Sequence, residues 1–319
     1  MITVEMNADG VLRCDRIFRH QGGSVVGDMT STLILTERSQ SLTPLRSVRA
    51  SRPLAIISEV NLALGHMEYG TQIPIIAYLV SCLGCGLGLI CTTQARGATR
   101  ASRNVWLALS AVSIGGTGIW GMHFTGMLGV TVHGSPVRWD VGLTVVSLVI
   151  AIVIVGFGMF LVGYSKPRMR TLLPAGLITG CGVAAMHYMG MASMRVQGSL
   201  RYNVPLVVLS VAIGVIAATA ALWITRNVRR KAAMVIAVPI MGLAVCGMHY
   251  TGMAATSMVL DAKAPMPTGA QNSMLAWPLI IWIIACPVMI LSALALAPSA
   301  EEIKTEQYYQ EVAARLRNE

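Results

Sequence analysis

Between Ile73 and Ser299 the 319-residue chain carries only two acidic side chains, Asp140 and Asp261, and seven apolar runs follow one another through that stretch. The runs cover roughly 73–93, 104–128, 141–164, 171–193, 205–225, 234–256 and 275–297. A helix needs about 20 mostly apolar residues to cross the hydrocarbon core of a bilayer. Each run meets that length, and no Lys or Arg lies well inside one. Charges within the bilayer are costly, which gives the gap in the charge pattern a physical cause. The runs predict an all-α, integral membrane fold with seven transmembrane helices. Composition agrees, with 55% hydrophobic and 12% charged residues and a mean hydropathy of +0.65, where a soluble domain has about 25% charged residues.

A six-residue pattern recurs inside this frame. Met122–Met127 reads MHFTGM, Met186–Met191 reads MHYMGM and Met248–Met253 reads MHYTGM. His123 and His187 are 64 positions apart, and His187 and His249 are 62 apart. That period fits two membrane helices and two loops, so the domain is built from two-helix repeats. Two crossings return the chain to the same side of a membrane. All three histidines are therefore expected at one depth and on one side, on helices two, four and six.

The residue types point to a metal. Within each copy the His and the last Met are four apart, and positions i and i+4 share a helix face. His123 with Met127, His187 with Met191, and His249 with Met253 can each offer an imidazole and a thioether to a common centre. The first Met of each copy turns about 100° away. Soft sulfur favours Cu(I), and imidazole accepts both copper states. Carboxylates are absent from the set. The bland alternative is packing: a single Met in a membrane helix fills gaps, and a single His near a helix end can bond a neighbouring helix. Three copies on one side favour the ligand reading. The intervening Gly126, Gly190 and Gly252 permit close helix approach, and Phe124, Tyr188 and Tyr250 suit an interfacial aromatic belt. Met189, Met194, Met258 and Cys246 read as packing, and His133 as a solvated loop residue. The seven cysteines lie mostly inside apolar runs, which argues against a disulfide framework. The pair Cys82 and Cys85 lacks a second CxxC to complete a zinc site.

The triple motif resembles the MHYT family, a bacterial integral membrane sensor domain named after Met-His-Tyr-Thr. Met248–Thr251 spells the name. Met122–Thr125 carries Phe124 in the aromatic place, and Met186–Met189 carries Met189 in the Thr place. The resemblance covers roughly residues 70–298. It implies a heptahelical domain, a copper site, and a role in sensing oxygen, carbon monoxide or nitric oxide. The expected setting is the bacterial cytoplasmic membrane. The expected partners are the lipid bilayer, a diatomic gas and a cytoplasmic signalling protein.

Loop cations set the orientation. Arg96, Arg100, Arg103, Lys166, Arg168, Arg170, Arg226, Arg229, Arg230 and Lys231 fall in one set of loops; Arg138, Arg195, Arg201 and Lys263 fall in the other. The first set belongs in the cytoplasm by the positive-inside rule. The N-terminus is then outside, the C-terminus inside, and the motifs sit near the outer face. The net charge of +10 is thus mostly a topology signal. No aromatic-interleaved basic patch points to nucleic acid.

Three segments follow: a polar stretch at 1–66, the membrane domain at 67–298, and a short amphipathic cytoplasmic tail at 299–319. The first stretch has no signal-peptide pattern, and Met67 offers an alternative start. The tail carries Ile303, Tyr308, Val312, Ala313 and Leu316 at helical spacing. No acid/base pair, nucleophile–His arrangement or phosphate loop suggests an enzyme, and no cyclase, phosphodiesterase or kinase motif is visible. The seventh run lacks the Lys a retinal protein needs. Copper storage or delivery would use the same ligands as a sensor. Haem would need facing histidine pairs, and three equivalent histidines do not divide into pairs.

Overall fold

The computed structural model describes residues 72–164, 169–228 and 231–297, four short strands before them, and helical positions 305, 308, 309 and 317. Most of the polar segment 1–66 and of the amphipathic tail lies outside the described residues. The chain divides into two units, Met1–Ala50 and Ser51–Glu319. In the first, β1 (Ile2–Met6) and β2 (Leu12–Arg16) pair as an antiparallel hairpin.

The second unit holds β3 (Leu64–Gly65), β4 (Met67–Tyr69) and seven helices long and apolar enough to cross a membrane. These are α1 (Ile73–Gly97), α2 (Arg100–Leu128), α3 (Val141–Tyr164), α4 (Met169–Ser193), α5 (Val204–Asn227), α6 (Lys231–Ala254) and α7 (Asn272–Ala295). The fold is all-α and heptahelical, as the apolar runs predict. Helix ends follow local chemistry. Asn203 caps α5 by accepting from the Leu206 amide at 3.3 Å, and Asp140 caps α3 by accepting from the Leu143 amide at 3.1 Å. Such caps satisfy amides that a helix start leaves free. Prolines lie inside α4 (Pro174), α6 (Pro239) and α7 (Pro278 and Pro287), as membrane helices tolerate.

The faces are sorted in the sense lipid demands. On α3 the exposed side chains include Val145, Val149 and Val153, while Thr144, Ser147, Ala151 and Gly158 are buried. Valines cover the outward face, and small or hydroxylated residues, with Val155, Met159 and Val162, fill the face toward the neighbouring helices, where small side chains let membrane helices pack closely. Where α1 meets α2, a Cβ on Gly84 would run into the backbone of Gly118. There Ser113 Oγ donates to the Gly84 carbonyl at 2.8 Å, and Ser110 Oγ to the Gly88 carbonyl at 2.9 Å.

The most enclosed helix is α2, with 78% of its most apolar window buried against 22–50% for the other six. It packs against α1, α3, α4, α6 and α7. It also departs from regular form: Val112–Gly121 is π-helical, followed by about two α-helical turns over Met122–Leu128. Wide turns of this kind are rare and concentrate at functional sites.

Each motif helix runs directly into a strand on the same side of the bundle. β5 (Val130–Val132) follows α2 and pairs with β4; β7 (Met194–Arg195) follows α4 and pairs with β6 (Arg138–Trp139). β9 (Thr256–Leu260) follows α6 and lies between β3 and β8 (Gly198–Tyr202). On the other side, side chains of the loop cations close helix ends. The Arg96 guanidinium donates to the carbonyls of Thr225 and Val228 at the end of α5. Arg103 donates to the Gly163 carbonyl at the end of α3 and lies over the Tyr164 ring, 4.5 Å from its centroid.

Candidate metal centre

His123, His187 and His249 come from α2, α4 and α6, and each is 1% exposed. Their Nδ1 atoms form a triangle with edges of 3.0 Å (123–249), 3.1 Å (187–123) and 3.4 Å (249–187). The ring centroids are 4.8–5.2 Å apart and the rings cross at 76–87°, in a propeller arrangement. Each ring also stands edge-on against the aromatic residue that follows it: Phe124 at 4.8 Å, Tyr188 at 4.9 Å and Tyr250 at 4.8 Å.

Hydrogen bonding alone does not satisfy this triangle. A neutral imidazole nitrogen carries either a proton or a lone pair. If one Nδ1 is a donor, the other two must face each other with bare lone pairs. The three Nε2 atoms point away from the triangle and have no hydrogen-bond partner. Leaving a buried polar atom unsatisfied costs about 1–3 kcal/mol, so the cluster is an expensive way to pack a core. A cation resolves the conflict among the Nδ1 atoms, because all three lone pairs can turn to it, while the Nε2–H groups stay unpaired either way. The point equidistant from the three nitrogens lies about 1.8 Å from each, close to the 2.0–2.1 Å of a zinc–imidazole bond. These are the described His, Cys or acidic side chains grouped closely enough to share an ion. The acids of residues 72–297, Asp140 and Asp261, stand in the strand-side loops. The donors are therefore nitrogen, a set that suits a transition metal such as copper better than a hard cation.

Met127, Met191 and Met253 are at most 2% exposed and belong to the main apolar core. Of the first methionines, Met122 belongs to a separate cluster with Ala77 and Cys246, whereas Met186 and Met248 share the main core, Met248 lying against Gly214 of α5. The motif hydroxyls serve their own helices: Thr125 Oγ1 donates to the Gly121 carbonyl and Thr251 Oγ1 to the Gly247 carbonyl, each at 2.7 Å. Met189 in the third such position therefore removes nothing from the centre.

Phe124 does not belong to an interfacial belt. It is fully buried, 4.9 Å from the Trp120 ring and 5.9 Å from Trp139. Trp139, also fully buried, is held there by Asn272 Oδ1 at 2.7 Å and by paired backbone bonds to Ala270 at 2.9 Å. The tucked loop seals the site. An open groove of about 480 Å³ on the strand side is lined by Met194, Arg195, Tyr202 and Met266 among others, and by none of the motif histidines. Cys246 and Cys85 are packed in the core, His133 is exposed in its loop, and the six described cysteines are free.

The family model for MHYT, "Bacterial signalling protein N terminal repeat", matches three times, at residues 116–175, 180–238 and 242–303. The bifunctional diguanylate cyclase/cyclic di-GMP phosphodiesterase MucR of Pseudomonas aeruginosa is 36% identical over 206 residues, 63% of this chain and 30% of its own length. The cyclic di-GMP phosphodiesterase NbdA of the same organism is 31% identical over 224 residues, 67% of this chain and 28% of its own. A signalling protein of Caulobacter vibrioides is 32% identical over 203 residues, 63% of this chain and 24% of its own. The chain thus spans about a quarter to a third of these relatives. No solved structure matches it. With one repeat match around each of the three converging motif helices, together covering more than half of the sequence, the chain belongs to the MHYT family of bacterial signalling repeats.

Proposed function

We propose that this membrane domain is a sensor that holds copper on the Nδ1 atoms of His123, His187 and His249, with Met127, Met191 and Met253 as neighbouring soft donors. The observation that carries the reading is the buried triangle of three nitrogens, which lacks a hydrogen-bonding solution of its own. Copper bound there would supply a redox-active centre open to a diatomic ligand such as oxygen, carbon monoxide or nitric oxide. The three imidazoles orient the site, and Phe124 with Trp139 excludes water from it. A ligand that favours one arrangement of the rings shifts α2, α4 and α6 together, because each ring rides on one of them. The shift is limited by the difference in affinity between the two arrangements.

The loop cations support an orientation with the motifs near the outer face of the cytoplasmic membrane and the C-terminus inside. The output is then a cytoplasmic signalling protein or region. The printed names of MucR and NbdA make cyclic di-GMP turnover the class to test first. Storage or delivery of copper uses the same ligands, but a sealed site with histidines 1% exposed favours retention over hand-off. Haem fits less well, since rings in mutual contact leave no gap for a porphyrin between them.

Elemental analysis and an optical spectrum of the purified protein test the proposal. The expected result is copper bound to the protein and no Soret band. A stoichiometric Soret band, or purified protein that neither contains nor takes up copper, would overturn it.

A further inference from the structure

We infer that Gly126, Gly190 and Gly252 are the positioning residues of the centre, each a socket for an imidazole that comes from another helix. A Cβ on Gly190 would run into Nε2 of His123, and a Cβ on Gly252 into Nε2 of His187. A Cβ on Gly126 would lie 2.6 Å from Nε2 of His249. The relation is cyclic. α2 gives a ring to α4, α4 gives one to α6, and α6 gives one back to α2.

Among the described glycines Gly116 also receives a ring, that of Trp282, but carbon first, whereas each motif glycine receives an imidazole nitrogen first. At Gly84 and Gly180 the nearest atoms are backbone atoms of the opposing helix. At each motif glycine the three nearest atoms all belong to one histidine ring, namely Nε2, Cδ2 and Cε1. The atom that enters the socket is a buried nitrogen without a hydrogen-bond partner. A ring seated by its Nε2 edge can present only Nδ1 to the centre. The glycine in each motif therefore selects the donor atom of a different motif. Histidine placement by neighbouring groups is a general control on metal sites, and here the group is an absence of side chain.

The inference rests on reading the histidines as a ligand set, and its test separates the two. Gly190→Ala is combined with His123→Ala, whose ring occupies that socket, and with His187→Ala, whose ring does not. The first readout is the thermal midpoint of the metal-free protein in detergent. Gly190→Ala should lower the midpoint in the wild-type and His187→Ala backgrounds and have little effect in the His123→Ala background. If Gly190→Ala alone fails to accumulate, accumulation of the double variant at the level of His123→Ala gives the same result. The second readout is side-chain nitrogen NMR of protein loaded with Cu(I). It should show three coordinated Nδ1 and three protonated Nε2 atoms, and Gly190→Ala should weaken copper retention about tenfold or more. An equal cost of Gly190→Ala in every histidine background, or coordination through Nε2, overturns the inference. Background-specific pairing in a protein that takes up no copper supports the sockets and sinks the ligand reading alone.

Discussion

Each motif position has a distinct duty. His carries the nitrogen, the next aromatic supports its ring, the Thr hydroxyl returns to its own backbone, and the Gly receives a foreign ring. Substitutions should therefore differ sharply within six residues. Replacing any one of His123, His187 or His249 by Ala should lower copper retention at least about tenfold, measured by elemental analysis after desalting. Met122→Leu should retain most of the copper, because that side chain packs with Ala77 and Cys246 away from the centre. Thr125→Val should cost less than about 1 kcal/mol in unfolding, since its hydroxyl only back-bonds within α2. Equal losses at His123, Met122 and Thr125 would mean that the motif acts as a packing unit.

At the scale of elements, the spacing of apolar runs located the helices well, because lipid imposes one length and forbids internal charge. The run at 141–164 coincides with α3, and the run at 171–193 differs from α4 by two residues at its start. The 64- and 62-residue spacing also brought the three histidines to one level. Three features escaped the same reasoning. The π-helical stretch Val112–Gly121 has the hydropathy of any apolar run, so nothing periodic marks it. The short strands pair across loops, as Arg138 does with Arg195, and local pattern does not encode such partners. The glycine sockets join different helices, whereas i,i+4 reasoning sees only one. Phe124 was expected at the interface because the tuck of Trp139 is a tertiary event.

The start of α3 also carries a pH-dependent prediction. The Asp140 carboxyl accepts from the Leu143 amide and pairs with Arg195, and both hold its pKa below the usual value. A depressed folded-state pKa adds stability above the unfolded value of about 3.9, and that stability is lost as pH falls through the folded one. Asp140→Asn should therefore lower the melting temperature at pH 7, and the gap to wild type should close on acidification below pH ~4. A gap that is constant with pH would show that the carboxylate charge is irrelevant there.

For the whole molecule, the two ends of the bundle differ in how they are tied. The motif end is bound by strand pairs and the sealed triangle, the opposite end by arginines that close α3 and α5. Cation asymmetry between the loops predicts which end faces the cytoplasm. A reporter fused after Lys231 should read cytoplasmic, and one placed near Lys263 should read external. The reverse pattern would move the centre to the inner face. Removing residues 1–63, which spares β3, should leave membrane insertion and copper content unchanged, judged by accumulation and metal per chain. Loss of accumulation would make the polar segment a structural part of the domain.

The closed exchange of rings and sockets has a consequence for biosynthesis. When α2 and α4 have been made, His123 can find Gly190, but the socket at Gly126 is empty and His187 has no seat. Both remain so until the ribosome has passed Gly252. A nascent chain that stalls earlier holds one seated imidazole and one that nothing orients. On the proposed copper reading, a full set of oriented donors exists only in chains that have threaded their sixth helix.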